Sequence, residues 1–277
     1  MSRRLAFLGP PGTFSEEAAL RYEPEAQLVP FVSISAVAAA LDSGMADEGV
    51  VPIENSLEGS VTETLDVLIQ NARLSLRNEI VLPIEHLLLA GPGTKASDVK
   101  VISSIPQALA QCRGFIEQRF PNVALEAALS TAAAVEEVMG REGAAAIGNR
   151  RAAELYGAEV LSEGIQDRSS NLTRFVVLSD EDHPPTGDDK TSLAFAFAVE
   201  DRSGLLVSAL EEFSKRGINL SKIESRPSKE RLGVYIFLAD ADGHRTEQPL
   251  AECLERVREK CSFFRVLGSY PRYREAQ

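Results

Sequence analysis

Three short stretches of this chain carry more hydrogen-bonding side chains than a turn needs. The first, Gly9-Pro10-Pro11-Gly12-Thr13-Phe14-Ser15, follows the apolar run Leu5 to Leu8 and opens a segment of helical composition. Such a turn aims backbone N–H groups and the hydroxyls of Thr13 and Ser15 at the helix N-terminus, where the dipole favours an anion. A carboxylate fits there, and the same residues also suffice for a plain βα turn capped by Thr13. The second stretch, Pro52 to Ser60, leaves an apolar strand with Glu54, Asn55 and Ser56 in succession. Asn55 and Ser56 serve equally as turn formers, and Ser60 as a helix cap. The third, Gln166 to Leu172, runs into Thr173-Arg174-Phe175-Val176-Val177-Leu178, so Thr173 and Arg174 stand at the mouth of an apolar strand. A guanidinium there offers paired hydrogen bonds to a carboxylate, or simply neutralises one of many surface acids.

Other chemistries find no support. His86, His183 and His244 lack zinc-ligand spacing, so no metal is expected. His86 reads as a strand histidine that satisfies a core hydrogen bond. There is no Ser/His/Asp or Cys/His signature, and no G-x-G-x-x-G or Walker loop for a nucleotide. The formal net charge of −12 and pI of about 4.9 supply no basic footprint for nucleic acid. An anionic ligand must therefore be held by a local cation or by oriented N–H groups against an unfavourable overall field. Cys112, Cys253 and Cys261 are odd in number and form no C-x-x-C pair, which fits a reducing compartment. Met1 to Gly9 is too short for a signal-peptide core or a membrane span. A cytoplasmic protein without membrane contact is expected.

These loops need elements to hold them. At 277 residues, 44% apolar and 25% charged, the chain is long enough for two domains of ordinary globular composition. Strand Leu5 to Gly9 precedes a helix from Thr13 to Tyr22 with a Thr13/Glu16 capping box, and strand Gly49 to Ile53 precedes a helix near Ser60 with Glu63 in the matching place. Further strands are expected at Ile84 to Leu89, Lys100 to Ser103 and Gly143 to Ile147, with helices at Pro106 to Arg119, Thr131 to Met139 and Arg150 to Tyr156. Alternation of this kind argues for α/β sheets whose ligands bind beyond the carboxyl ends of strands. The acidic stretch Ser179 to Lys190, with two prolines and a glycine, has nothing to bury and reads as a linker. After it, strand Ser192 to Glu200, helix Gly204 to Arg216, strands Asn219 to Ser225 and Leu232 to Ala239, helix Pro249 to Cys261 and strand Phe264 to Tyr270 give the ferredoxin-like order βαββαβ.

Taken together, GPPGTFSEEAA, VVPIENSLEGSV and SSNLTRFVVL resemble the three signature segments of prephenate dehydratases in order and spacing. The resemblance continues through ALAQCRGFI, STAAA at Ser130 to Ala134 and AAELYGAEVLSEGIQD. GLLVSALEEF at Gly204 and INLSKIESRP at Ile218 resemble the effector segments of that family's ACT module. The resemblance implies a two-lobed, periplasmic-binding-protein-like α/β catalytic domain with a cleft over residues 1–178, a linker over 179–190, and an ACT domain over 191–277. It implies decarboxylating dehydration of prephenate to phenylpyruvate in phenylalanine biosynthesis, without a cofactor, in a homodimer or homotetramer restrained by L-phenylalanine. Family roles would give the leaving-group step to Thr173, with Glu54, protonated if buried, as the rival proton source. Arg174 would hold a carboxylate with Thr13 and Ser15 and, from the other half of the cleft, Ser130 and Thr131. Asn55, Ser56, Ser104, Gln111 and Phe175 would complete the lining. The effector would lie between Gly204, Leu205, Leu206, Val207 and Asn219, Leu220, Glu224, Ser225, Arg226, Pro227, across a dimer interface. The chain departs from the family at Ser104-Ile105-Pro106, where no histidine stands between serine and proline, and at Ser203 and Leu205, where proline and alanine are common. No chorismate mutase helix precedes Met1, as in the monofunctional form. An arogenate dehydratase would share nearly every motif, and a non-catalytic carboxylate sensor would share the cleft.

Overall fold

The computed structural model describes residues 2–197, 203–229 and 233–274. The chain forms two compact units, Met1–Thr64 with Ile80–Phe175, and Leu65–Glu79 with Val176–Gln277. Its first elements are β1 (Arg4–Leu8), α1 (Phe14–Tyr22), β2 (Gln27–Phe31), α2 (Ile34–Asp42), β3 (Glu48–Asn55), β4 (Gly59–Ser60), α3 (Thr62–Gln70) and β5 (Ser75–Pro83). There follow β6 (Leu87–Ala90), β7 (Val101–Ser104), α4 (Pro106–Gln111), α5 (Arg113–Arg119), β8 (Ala124–Ala127), α6 (Thr131–Val138), β9 (Ala144–Gly148), α7 (Arg150–Tyr156), β10 (Glu159–Ser162) and β11 (Leu172–Ser179). The last are β12 (Asp189–Ala196), α8 (Leu205–Lys215), β13 (Leu220–Pro227), β14 (Tyr235–Asp242), α9 (Leu250–Arg258) and β15 (Phe263–Pro271).

The first unit has two lobes, each built on one sheet. One sheet runs β2-β1-β3-β11-β5, with β4 paired to β3; β1 is parallel to both β2 and β3. The other runs β10-β6-β9-β7-β8, with β7 parallel to β8 and β9 and β6 antiparallel to β9. Strands covered on both faces are apolar throughout: Leu5, Ala6 and Phe7 of β1 are buried, as is every residue of β9. Two glycines let helices lie close on the strands. A Cβ at Gly49 would stand 2.6 Å from Val37 Cγ1 of α2, and one at Gly148 would stand 2.6 Å from Val135 Cγ2 of α6. The close approach sets the distance of α6 from β9, while the Ser130 cap sets where α6 begins.

Several expected elements differ. The helix Pro106 to Arg119 is two, broken at Cys112 (φ −111°, ψ 15°). Strand Ile84 to Leu89 begins only at Leu87, so His86 precedes the strand. Glu63 does not cap its own helix with Ser60; its carboxylate accepts from Ser35 N and Oγ, both at 3.1 Å, at the first turn of α2. At Thr13 the predicted box is half formed: Thr13 Oγ1 accepts from Glu16 N at 3.4 Å, but the Glu16 carboxylate accepts from Gly12 N at 2.6 Å. The acidic linker is shorter than expected, because Asp189 and Lys190 already belong to β12. Asp189 is buried and accepts from Thr186 N, Thr186 Oγ1 and Gly187 N, so part of the linker is an ordered turn.

In the second unit the sheet order is β13-β14-β12-β15, all antiparallel, which is the βαββαβ order expected. Leu193 and Phe195 of β12 pack with Ala209 and Phe213 of α8 and with Leu250, Leu254 and Val257 of α9. Cys261 lies beyond the end of α9. The expected strand ends at 198–200 and at Leu232 lie outside the described residues.

Candidate active site

A cleft of about 680 Å³ opens within the first unit, lined from both lobes. The N-terminus of α1 contributes Gly9, Thr13, Phe14 and Ser15, and that of α6 contributes Leu129, Ser130 and Thr131. The first amides of a helix lack intrahelical acceptors, and the dipole adds positive potential at that end. Thr13 and Ser130 are the two N-caps. Ser130 Oγ accepts from Ala133 N at 2.9 Å, while the Thr13 hydroxyl braces its turn by donating to Pro10 O at 3.0 Å. The lobes are also tied by Glu16 of α1, whose buried carboxylate accepts from Arg151 of α7 at 3.0 and 3.2 Å.

The floor is polar and comes from β3, α4 and β11. Asn55 Oδ1 accepts from Leu57 N and Glu58 N at 2.9 and 3.0 Å, which fixes which end of the amide is nitrogen. Its Nδ2 donates to Thr173 Oγ1 at 2.9 Å and to Asn171 Oδ1 at 2.7 Å. Asn171 Nδ2 in turn donates to Gln111 Oε1 at 3.0 Å, which lies 2.9 Å from His86 Nε2. Burial pushes the His86 imidazole below its ordinary pKa, and the Gln111 bond only partly opposes this, which favours the neutral ring. Phe14 meets the His86 ring edge-on at 6.1 Å. No lysine or arginine lines the cleft among the described residues; its ionisable lining is Glu58 and His86.

Of the expected residues, the structure brings together Thr13, Ser15, Asn55, Gln111, Ser130, Thr131, Thr173 and Phe175. Four others are elsewhere. Arg174 does not line the cleft, because residues on a strand alternate in direction and Thr173 and Phe175 take the cleft face. Its guanidinium instead pairs with Glu54, Nε to Oε2 at 3.5 Å, and Glu54 is likewise absent from the lining. Ser104 is wholly buried and donates to Ile147 O at 2.8 Å, joining β7 to β9. Ser56 donates to Ser170 O and accepts from Leu172 N, pinning its loop to the start of β11. Residue-type reasoning passed over Asn171 and assigned His86 to the core. The period-two series Asn171, Thr173, Phe175 was the available signal that these three share a face and that Arg174 takes the opposite one.

Among the effector candidates, Gly204 is the N-cap of α8 and Leu205 to Val207 its first turn. Asn219 and Leu220 stand at the start of β13, Glu224 pairs with Lys222 at 3.4 Å, and Ser225 and Pro227 are exposed near its end. Arg226 is buried and bound to Asp66. The 11 residues of α8, about 16 Å of helix, separate Gly204 from Asn219, whereas Glu224 to Pro227 lie at the far end of β13 from Asn219.

A two-lobed cleft walled by helix N-termini and hydroxyls, on a chain that ends in a ferredoxin-like domain, defines an enzyme of small anions with an appended regulatory module. The family model for prephenate dehydratase matches residues 5–183, and that for the ACT domain matches 195–259. The bifunctional chorismate mutase/prephenate dehydratase of Aquifex aeolicus is 42% identical over 97% of this chain and 74% of its own. Prephenate dehydratase from Arthrobacter aurescens, solved with L-Phe, superposes with a TM-score of 0.88 at 38% identity, covering 97% of this chain and 90% of that one. GqqA, described as a novel type of quorum-quenching acylase, also superposes with a TM-score of 0.88, at 31% identity over 97% and 98% of the two chains. The chain belongs to the prephenate dehydratase family, lyases that release carbon dioxide and water from prephenate, and it carries an ACT domain.

Proposed function

We propose that this cleft converts prephenate to phenylpyruvate with Thr173 as the hydrogen-bond donor to the departing ring hydroxyl. The observation that carries this is the Thr173 hydroxyl itself. Its oxygen accepts from Asn55 Nδ2, and among the described residues its proton has no protein acceptor, so it is available to a ligand in the cleft. Two carboxylates would be held by the amide N-termini of α1 and α6 with Ser15 and Thr131, in place of a cation. The lining beside them is apolar, with Phe14, Val61, Ile84 and Phe175. A ring carboxylate left there without solvation is raised in energy towards loss of carbon dioxide. The dianion gives phenylpyruvate monoanion, carbon dioxide and hydroxide, and the hydroxide becomes water with one proton taken up from solvent. A threonine hydroxyl is too weak an acid to supply that proton permanently, so Thr173 orients and stabilises the leaving oxygen.

Thr173→Ala is expected to lower kcat by about 100-fold or more, with KM changed far less, as for an interaction realised in the transition state. Near-normal kcat in that variant would remove Thr173 from the mechanism. Incubation with prephenate, arogenate and an N-acylated quorum-sensing signal in turn separates this reading from an arogenate dehydratase and from the acylase activity ascribed to GqqA; prephenate is expected to be the substrate turned over.

The same reading assigns L-phenylalanine to the ACT domain as a feedback effector, bound between the start of α8 in one copy and β13 in a second. The exposed apolar Val207 on α8 and Ile223 on β13, with Tyr235, support a homodimer or homotetramer. Three unpaired cysteines support a cytoplasmic location.

A further inference from the structure

We propose that His86 is a positioning residue for this reaction: its Nε2–H holds, through Gln111 and Asn171, the backbone-oriented Asn55 amide in the place from which it presents the Thr173 hydroxyl to the cleft as a donor. The inference rests on the reading of Thr173 given above. The direction is set at one end by backbone. Leu57 N and Glu58 N can only donate, so Asn55 Oδ1 must accept and Asn55 Nδ2 must face Asn171 and Thr173. Asn171 therefore presents Oδ1 to Asn55 and Nδ2 to Gln111, and Gln111 presents Oε1 to both Asn171 and His86. An acceptor 2.9 Å from His86 Nε2 requires that this nitrogen carry the proton. Nδ1 is then a bare lone pair, and it is one of the few buried polar atoms without a partner. His86 is itself 3% exposed.

That orphan atom is the cost of the arrangement. The other tautomer would place two acceptors face to face at Gln111. Turning the Gln111 amide to relieve this sets its NH2 against that of Asn171, and turning Asn171 sets two NH2 groups together at Asn55, which the backbone does not let turn. Gln111 also donates to Glu58 Oε1 at 3.4 Å, a bond the turned amide would forfeit. His86 thus locks the far end of a chain whose near end is locked by Leu57 and Glu58, and Thr173 is its branch into the cleft.

Nitrogen-detected NMR of the full-length protein at pH 7 is expected to show His86 neutral with the proton on Nε2; a proton on Nδ1 instead overturns the proposal. Two substitutions test the function. His86→Gln places an amide nitrogen where Nε2 stands, whereas His86→Asn places one only as far as Nδ1. His86→Gln is expected to keep kcat within roughly 3-fold of the parent, and His86→Asn to lose about 10- to 100-fold in kcat with KM within roughly 3-fold. Equal kcat in the two variants overturns the proposal, because only the first restores the donor. Melting curves of both show whether each is folded, and a shared loss of folding is replaced by the NMR result as the deciding measurement. In a Thr173→Ala background, His86→Asn should add no further loss, since the two act as one unit. If Thr173→Ala alone keeps normal kcat, the reading of Thr173 fails while the His86 tautomer stands; if Thr173→Ala is inactive and His86→Asn matches the parent, only the present inference fails.

Discussion

Thr173 and Arg174 are neighbours in sequence, and the alternation of a strand gives them different tasks. Thr173 reaches the cleft; Arg174 is mostly buried beside Glu54. Arg174→Ala is therefore expected to act on stability, leaving a buried network with a missing partner at a cost of about 1–3 kcal/mol, while KM for prephenate stays within a few-fold. Thermal melts and steady-state kinetics on the same preparation check this, and a large rise in KM with an unchanged melt would return Arg174 to carboxylate binding. Cys112 adjoins Gln111 but is no candidate nucleophile: burial, aided by the Asp167 carboxylate, pushes its thiol up to about 12, so it is not a thiolate at neutral pH. His86 carries a pH signature of its own. Its folded pKa lies below the ordinary value, so the unfolded chain binds the extra proton first, and stability falls as pH drops below about 6.5.

Among the elements, α3 is one shared by the two units. α3 follows directly on Ser60 and Val61, which line the cleft, yet from Leu65 onward it belongs with the ACT unit. Within that unit Asp66 of α3 is bound by Arg226 and by Lys229 Nζ, and Arg265 donates to the carbonyls of Ile69, Asn71 and Leu74 at the end of α3. A cation among the last carbonyls of a helix is favourably placed. Arg226 lies in the segment proposed to bind the effector, so the Asp66 pair links that segment to the helix that follows Ser60 and Val61. Asp66→Asn is expected to leave kcat without effector unchanged and to weaken inhibition by phenylalanine several-fold. Burial raises the Asp66 pKa, but the Lys229 bond and the Arg226 charge outweigh it and hold the carboxyl below its usual range. Its stabilisation is thus present above the unfolded value and lost as pH falls through the folded one. The melting difference between parent and Asp66→Asn should accordingly be present at pH 7 and vanish in strong acid.

For the whole molecule, charge sets the terms of substrate capture. A chain of net charge −12 takes a dianion into a cleft that has no lysine or arginine among its described lining. In the proposed binding mode attraction comes from the local field of helix N-termini, which falls off within a turn, while the repulsive field reaches about 10 Å at 0.1 M salt. kcat/KM for prephenate is therefore expected to rise with added sodium chloride between about 0.02 and 0.2 M, the opposite of an enzyme that captures its substrate with a cationic rim. A monotonic fall over that range would mean that a cation enters the site on binding.

The sequence by itself settled the architecture. The βα alternation and the βαββαβ order are local patterns, and the strand–turn–helix at Gly9 to Ser15 places its own hydroxyls because capping is decided within four residues. It also contained the Asn171, Thr173, Phe175 alternation. Only the tertiary structure decided which polar groups share a space. Asn55 meets Asn171 and Thr173 across more than a hundred residues of chain. Ser104 is withdrawn into the core by Ile147, and Glu63 is drawn to Ser35. Which face of β11 looks on the cleft depends on what packs against the other face, and a hydrogen bond has a direction only once its partner is in place. Residue types alone therefore favoured Arg174, the stronger binder in isolation, whereas the fold puts Thr173 and the N-termini of α1 and α6 on the cleft and turns Arg174 away from it.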